Sequence, residues 1–284
     1  MSSSISNEDY SSFQAFLEEA CGITLGDNKQ YLVASRLGSL LSEYNIPSLR
    51  ALIERLKSDR RSELYERIVD AMTTNETLWF RDVFPFEIVR QVILPELVKT
   101  RAVGARIWSA ACSSGQEPYS ISMIIEEFLR ANPGAFANNV QIVATDLSPS
   151  MLELARAGSY DAAAMARGIS DDRRRQFFTE RFGRWQLNED VRRRVTFSEH
   201  NLQLGFEPHG KFQVIFCRNV LIYFSAALKR DILARFAAAL QPGGYLFLGA
   251  AEAITGYSDA FEMLRLPQGI VYRLKRAPAR SAAG

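Results

Sequence analysis

Histidine and cysteine are scarce in this chain of 284 residues, which holds two of the first and three of the second. His200 and His209 do not stand at the helical spacing of a ligand pair, and no paired-cysteine motif is present, so metal catalysis is not expected. Cys21, Cys112 and Cys217 are odd in number and widely separated, which excludes a disulfide framework and suggests a reducing compartment. No apolar run approaches the roughly 20 residues of a spanning helix. Residues 1–10 are polar and lack the apolar stretch of a signal peptide, so the expected location is the cytoplasm, without direct membrane insertion. A net charge of +2 is too small to point to nucleic acid.

What is present is a globular composition. With 47% hydrophobic and 23% charged residues, the chain has material for a large α/β domain and a small accessory one. The first part reads as helical. Ser6 with Asp9 resembles a capping box; Phe13, Phe16, Leu17 and Ala20 then share a face, and Gly22 can end the helix. Further amphipathic stretches carry Leu32, Leu37, Leu40, Leu41 and Tyr44, then Leu49, Leu52, Ile53 and Leu56 after Ser48, then Leu64, Ile68, Val69 and Met72 after Ser62. A helical bundle is expected over 1–72, with a linker and connecting helix over 73–101.

From 102 to 284 the texture changes. Apolar runs at 106–111, 140–145, 212–216 and 245–248 alternate with helical patterns at 118–130, from 149 and at 226–240, with Gly243 and Gly244 read as a turn. That alternation predicts a parallel sheet covered on both faces. Residues 158–198 break the rhythm and read as an inserted small subdomain. The tail, 278–284, reads as disordered.

In open α/β sheets, ligands sit beyond the carboxyl ends of the strands. The first such loop, 109–118 (SAACSSGQEP), is rich in small residues, and Gly115 can take conformations closed to others. It lacks the G-x-G-x-x-G dinucleotide pattern, which weighs against a nicotinamide dehydrogenase. Asp146, ending the second run, can accept hydrogen bonds from both hydroxyls of a ribose or can cap the next helix. Together these favour a nucleoside-type ligand.

Three strings then resemble one family, the CheR-type chemotaxis receptor methyltransferases: TTNETLWFRD at 73–82, IWSAACSSGQEPY at 107–119 and FCRNVLIYF at 216–224. The similarity runs along nearly the whole chain in the same order. It implies a Rossmann-like class I S-adenosylmethionine-dependent methyltransferase sheet with a small N-terminal helical domain and a β-rich insertion. It also implies S-adenosyl-L-methionine as cofactor, S-adenosyl-L-homocysteine as product, and methylation of glutamates on methyl-accepting chemotaxis receptors. Cofactor contacts are implied at Asn75, Thr77, Arg81, Glu117, Asp146, Asn201, Leu202, Arg218 and Asn219. Arg81 could pair with the methionine carboxylate or form an interdomain ion pair. Glu117 could meet the cofactor ammonium or simply favour a helix N-terminus. Asn201 could read the adenine edge or hold a turn. Tyr223 is implied near the transferred methyl, as the catalytic candidate, against the plainer reading of a half-buried strand-end tyrosine.

A glutamate with a pKa near ~4.3 is already ionised at neutral pH, so methyl transfer to it needs no strong base. Alignment would carry the catalysis, a contribution of roughly 7–11 kcal/mol in well-oriented systems. On the helical domain, Arg36, Arg50, Arg55, Lys57, Arg60 and Arg61 could be a solvated face. The resemblance makes Arg50, Arg55, Arg60 and Arg61 candidates for docking acidic receptor helices. Arg173–Arg175 and Arg192–Arg194 form a second cluster in the insertion, which docks a receptor tether in some relatives. A non-catalytic cofactor sensor of the same fold is the alternative.

Overall fold

A computed structural model describes residues 5–60, 62–100, 104–135 and 140–276. Arg61 and the tail at 278–284 lie outside the described residues. Four helices come first: α1 (Asn7–Cys21), α2 (Gln30–Glu43), α3 (Leu49–Ser58) and α4 (Glu63–Met72). Their ends follow local chemistry. Ser6, Ser48 and Ser62 each accept a backbone N–H from the first turn of the helix they start, and Gly22 ends α1 in a left-handed conformation. The apolar stripes of all four, from Phe13 and Leu17 to Ile68 and Met72, close into one core.

A connecting helical stretch follows, α5 (Phe84–Ile88) and α6 (Leu94–Lys99) joined by a π turn at Val89–Ile93. Pro95 explains the turn: it has no N–H for the carbonyl one turn earlier, and its ring crowds that position. The chain then enters β1 (Ala105–Ala110), α7 (Gln116–Ala131), β2 (Val140–Asp146) and α8 (Pro149–Ala157). The insertion holds β3 (Ser159–Tyr160), α9 (Ala162–Met165), α10 (Asp171–Phe177), β4 (Phe178–Arg181), β5 (Arg184–Leu187) and α11 (Glu189–Arg192). The last elements are β6 (Val195–Glu199), β7 (Phe212–Cys217), α12 (Ala226–Ala239), β8 (Leu240–Phe247), β9 (Phe261–Leu266) and β10 (Gly269–Leu274).

The seven-stranded sheet has the order β6-β2-β1-β7-β8-β10-β9, and β10 runs antiparallel to both its neighbours. β1, β2, β6, β7 and β8 are parallel. From β1 the chain winds outward through β2 to β6, then returns to β7 on the other side of β1. The order reverses between β1 and β7, and a crevice opens at their carboxyl ends. β3, β5 and β4 make a separate antiparallel sheet of three strands.

Two features differ from the sequence expectation. Residues 195–198, read as part of the insertion, belong to β6 of the main sheet. Its sequence, VTFSE, mixes polar with apolar residues because an edge strand is half exposed. Gly243 and Gly244 lie within β8, where the pairing jumps from Phe212↔Leu240 to Val214↔Tyr245, so the glycines form a bulge and not a turn.

Trp79 ties the linker to this assembly. It is fully buried, edge-on to Tyr160 at 4.8 Å and to Phe178 at 5.3 Å, and its backbone N–H donates to the Arg167 carbonyl. Trp79→Ala should therefore lower the stability of the whole chain by about 3–5 kcal/mol. Urea unfolding checks this; a loss under about 1 kcal/mol would mean that the linker packs only loosely.

Candidate functional site

The crevice is a cavity of about 940 Å³ including its mouth, a size that accommodates small ligands and cofactors. Asn75, Thr77, Arg81, Glu117, Asp146, Asn201, Leu202, Arg218, Asn219 and Tyr223 all line it. Residues separated by up to 148 positions thus share one wall system, because the linker, three strand ends and the loop after β7 converge at the switch point.

The loop after β1 is held by unusual backbone. Ala111, Ser113 and Gly115 all have positive φ. At Gly115 a Cβ would also press Ala155 at 3.0 Å and the Tyr160 hydroxyl at 3.2 Å, so both space and torsion call for glycine. This path turns the Ser113 N–H toward Asp146, whose Oδ2 accepts it at 2.6 Å. Asp146 Oδ1 accepts from Ser148 N–H at 2.9 Å. The helix α8 is capped by the Ser148 hydroxyl instead, and Ser148 in turn donates to Asp70 of α4. Burial pushes the Asp146 carboxyl above the usual carboxylate range, opposed by the N–H groups of Ser148, Ser113 and Leu147.

Glu117, in the first turn of α7, is the second largely buried carboxylate. Its Oε1 accepts from Ser109 Oγ at 2.8 Å and its Oε2 from Arg218 at 3.1 Å. Burial pushes its carboxyl upward too, against the pull of Arg218. Arg218 has a side chain only 2% exposed. It donates as well to Asp82 at 2.5 Å and to the Arg81 carbonyl at 2.9 Å, which clamps the linker onto the strand ends. Arg81 itself reaches back to the Glu76 carbonyl at 3.3 Å. The linker is fixed from its other end by Arg36, which donates to the carbonyls of Met72 and Thr73 and to Thr74 Oγ1. Ser113 Oγ donates to the Asn75 carbonyl at 2.9 Å.

Asn201 lines the cavity, but its side chain is engaged in structure: the amide donates to the Ala20 carbonyl and the oxygen accepts from Gln203 N–H. Tyr223 is also met by the helical domain, since Thr24 donates both its N–H and its hydroxyl to the Tyr223 carbonyl. All three cysteines are buried. Burial raises the Cys21 thiol to about 11 and lifts those of Cys112 and Cys217 well above their ordinary value, which leaves them protonated and poorly nucleophilic. Among the described residues no cluster of His, Cys, Asp or Glu is suited to a metal ion, and no helix is long and apolar enough to cross a membrane.

The arginine clusters are engaged. Arg50 pairs with Glu8 and Asp9, Arg60 with Glu19, and Arg55 lies over the Tyr44 ring. Arg173 grips Glu127 with two hydrogen bonds and covers Phe80 at 3.9 Å. Arg174, Arg175, Arg192 and Arg193 pair with acids three residues away, and Arg194 pairs with Glu126. The insertion's positive cluster is therefore paired with acids of its own short helices and with Glu126 and Glu127 of α7.

Sequence reasoning missed Asp82, Ser113, Thr24 and Glu252, all of which hold the site's residues in place. Asp82 and Ser113 lay inside recognised strings; Thr24 and Glu252 carry no local signal.

The cavity wall also contains buried polar atoms without a protein partner, Nε of Arg218 and Oδ1 of Asn219. One is a donor and the other an acceptor. With two buried carboxylates, they fit a ligand bearing hydroxyls, a cation and an anion together. A parallel sheet with one antiparallel strand and such a cavity at its switch point defines a class I S-adenosylmethionine-dependent methyltransferase.

Residues 75–270 match the family described as "CheR methyltransferase, SAM binding domain", and residues 8–73 match "CheR methyltransferase, all-alpha domain". The chain is 54% identical to "Chemotaxis protein methyltransferase 1" of Pseudomonas aeruginosa, over 96% of this chain and 100% of that protein. It is 51% identical to "Chemotaxis protein methyltransferase Cher2" of Pseudomonas putida over the same shares. It is also 50% identical to "Chemotaxis protein methyltransferase 1" of Vibrio cholerae, over 95% of this chain and 98% of that one. The chain belongs to the CheR methyltransferase family, and S-adenosylmethionine is its cofactor.

Proposed function

We propose that this methyltransferase esterifies glutamate side chains on the cytoplasmic helices of methyl-accepting chemotaxis receptors, as part of chemotactic adaptation in the cytoplasm. The reading is carried by the convergence of the linker, the β1 loop and the β7 loop on one cavity, in a chain about half identical to named chemotaxis methyltransferases.

S-adenosylmethionine supplies an electrophilic methyl group on a sulfonium. The chain's own residues bind and orient. Asp146 would accept from the ribose hydroxyls and Glu117 would hold the ammonium, while Arg81 would meet the carboxylate. Asn219 Oδ1 offers a further acceptor, and Asn75, Thr77, Asn201 and Leu202 complete the wall. Arg218 favours the ionised form of Glu117 against the effect of burial and aligns it. Tyr223, which lines the same cavity, would orient the incoming glutamate toward the transferred methyl. That carboxylate arrives ionised, so the protein aligns it and moves no proton.

The test is incubation with radiolabelled S-adenosylmethionine and receptor-containing membranes, which should place base-labile label on the receptor. Tight cofactor binding with no label on any receptor would favour the sensor reading. Docking is proposed for the arginine-bearing face of α3 and the residues after it, Arg50, Arg55, Arg60 and Arg61. Arg50 and Arg60 already hold carboxylates, so among the described residues Arg55 contributes most. Arg55→Glu should cut receptor methylation about fivefold at low salt, less at high salt, and leave cofactor affinity unchanged. A methylation rate insensitive to both the charge and the salt would move docking elsewhere.

A further inference from the structure

The loop carrying Asn219 and Tyr223 is not self-supporting. Asn219 sits at φ 60, a left-handed conformation, and is followed by one 3-10 turn at Leu221–Tyr223. Three N–H groups around this loop point at one carboxylate contributed by the loop after β8. Glu252 Oε2 accepts from Asn219 N–H and from Gly249 N–H, both at 2.7 Å, and Oε1 accepts from Ile222 N–H at 3.2 Å. Gly249 lets this happen: a Cβ there would lie 2.7 Å from Asn219 Nδ2 and 2.8 Å from Glu252 Oε2.

We infer that Glu252 is a positioning residue for the transfer reaction, setting the geometry of Asn219 and Tyr223 without touching cofactor or substrate. Its two bonds into the loop bracket the segment from 219 to 222. The third ties that segment to the end of β8. An anion suits this task because backbone N–H groups donate more strongly to a carboxylate than to a neutral oxygen. A glutamine cannot replace it: two oxygens serve three donors, so either amide orientation turns an NH2 toward at least one N–H. The kinetic consequence rests on the methyl-transfer reading above, whereas the effect on cofactor affinity does not.

Glu252→Gln should lower kcat for receptor methylation by about tenfold or more and weaken S-adenosylhomocysteine binding severalfold, in the range for losing charge-assisted hydrogen bonds. Its thermal midpoint should stay close to wild type. Glu252→Ala should lose more and regain part of its kcat in added formate, which can reoccupy the three donors through the cavity beside Ile222, Lys229 and Tyr257. Gly249→Ala should weaken S-adenosylhomocysteine binding with the carboxylate still present.

Wild-type kcat and affinity in Glu252→Gln would overturn the inference. So would activity in Glu252→Ala that merely tracks the folded fraction and ignores formate. If the wild-type protein labels no receptor, the proposed substrate fails while the S-adenosylhomocysteine titrations still decide the role of Glu252.

Discussion

Replacing Asp146 with alanine is expected to raise the dissociation constant for S-adenosylhomocysteine about a hundredfold, measured by calorimetry. The estimate follows from losing hydrogen bonds to a buried charge, each about 1.5–3 kcal/mol. The protein side loses as well. Ser113 and Ser148 N–H groups would have no acceptor, and the left-handed path of the β1 loop would lose its anchor. Equal affinity in the variant and wild type would remove Asp146 from the site.

The same carboxylate gives the binding a pH dependence. Burial raises both Asp146 and Glu117, and only their ionised forms offer both oxygens as acceptors and a charge to pair with an ammonium. Affinity should therefore begin to fall, as pH drops, above the usual carboxylate range. A cation beside Glu117 pulls its pKa back down, so cofactor binding in that window should release protons. Calorimetry in two buffers of different ionisation enthalpy reads this directly. For the cofactor-free protein the sign is reversed. A carboxyl whose folded-state pKa is raised stabilises the fold fully below its unfolded pKa and loses that contribution as pH rises through the folded value. At neutral pH the two groups thus cost stability, which bound cofactor offsets.

Arg218→Ala should have the second largest effect. Removing one partner of a buried ionic network leaves the others desolvated and uncompensated, at about 3–5 kcal/mol. Here Glu117 and Asp82 would be stranded and the linker would lose its clamp. A fall in thermal midpoint of roughly 6–15 °C is expected, together with loss of cofactor binding. Arg218→Met combined with Glu117→Gln should recover part of the stability but none of the binding. If the single variant melts within about 2 °C of wild type, the network is not the support described.

Helix ends and strand runs were legible because they rest on contacts a few residues apart. Ser6, Ser48 and Ser62 cap the helices they precede, and the runs entering β1, β2 and β7 are apolar because both faces of a central parallel strand are covered. β6 was hidden by its edge position, and β10 and β9 lie beyond the alternating pattern. The arginines of the insertion looked like a docking face because a sequence lists charges without their partners; folded, Asp171, Asp172, Glu189 and Asp190 stand one turn away. Asn201 lines the cavity while its side chain bonds to Ala20 and Gln203, a pairing that spacing along the chain does not record.

By itself the sequence determined the class of fold, the ligand end of the sheet and, through three strings at 73–82, 107–119 and 216–224, the family. Those properties are local: periodicity, capping and short motifs are written in neighbouring residues. Only the tertiary structure decided that Arg218 bridges Glu117 and Asp82, that Thr24 of the helical domain holds Tyr223, and that Glu252 straps the Asn219 loop. Each of these joins segments between 30 and 199 positions apart. Hydrogen bonds between distant segments exist only once burial of the two sheet faces has brought them together, and nothing in the spacing of residues along the chain records them.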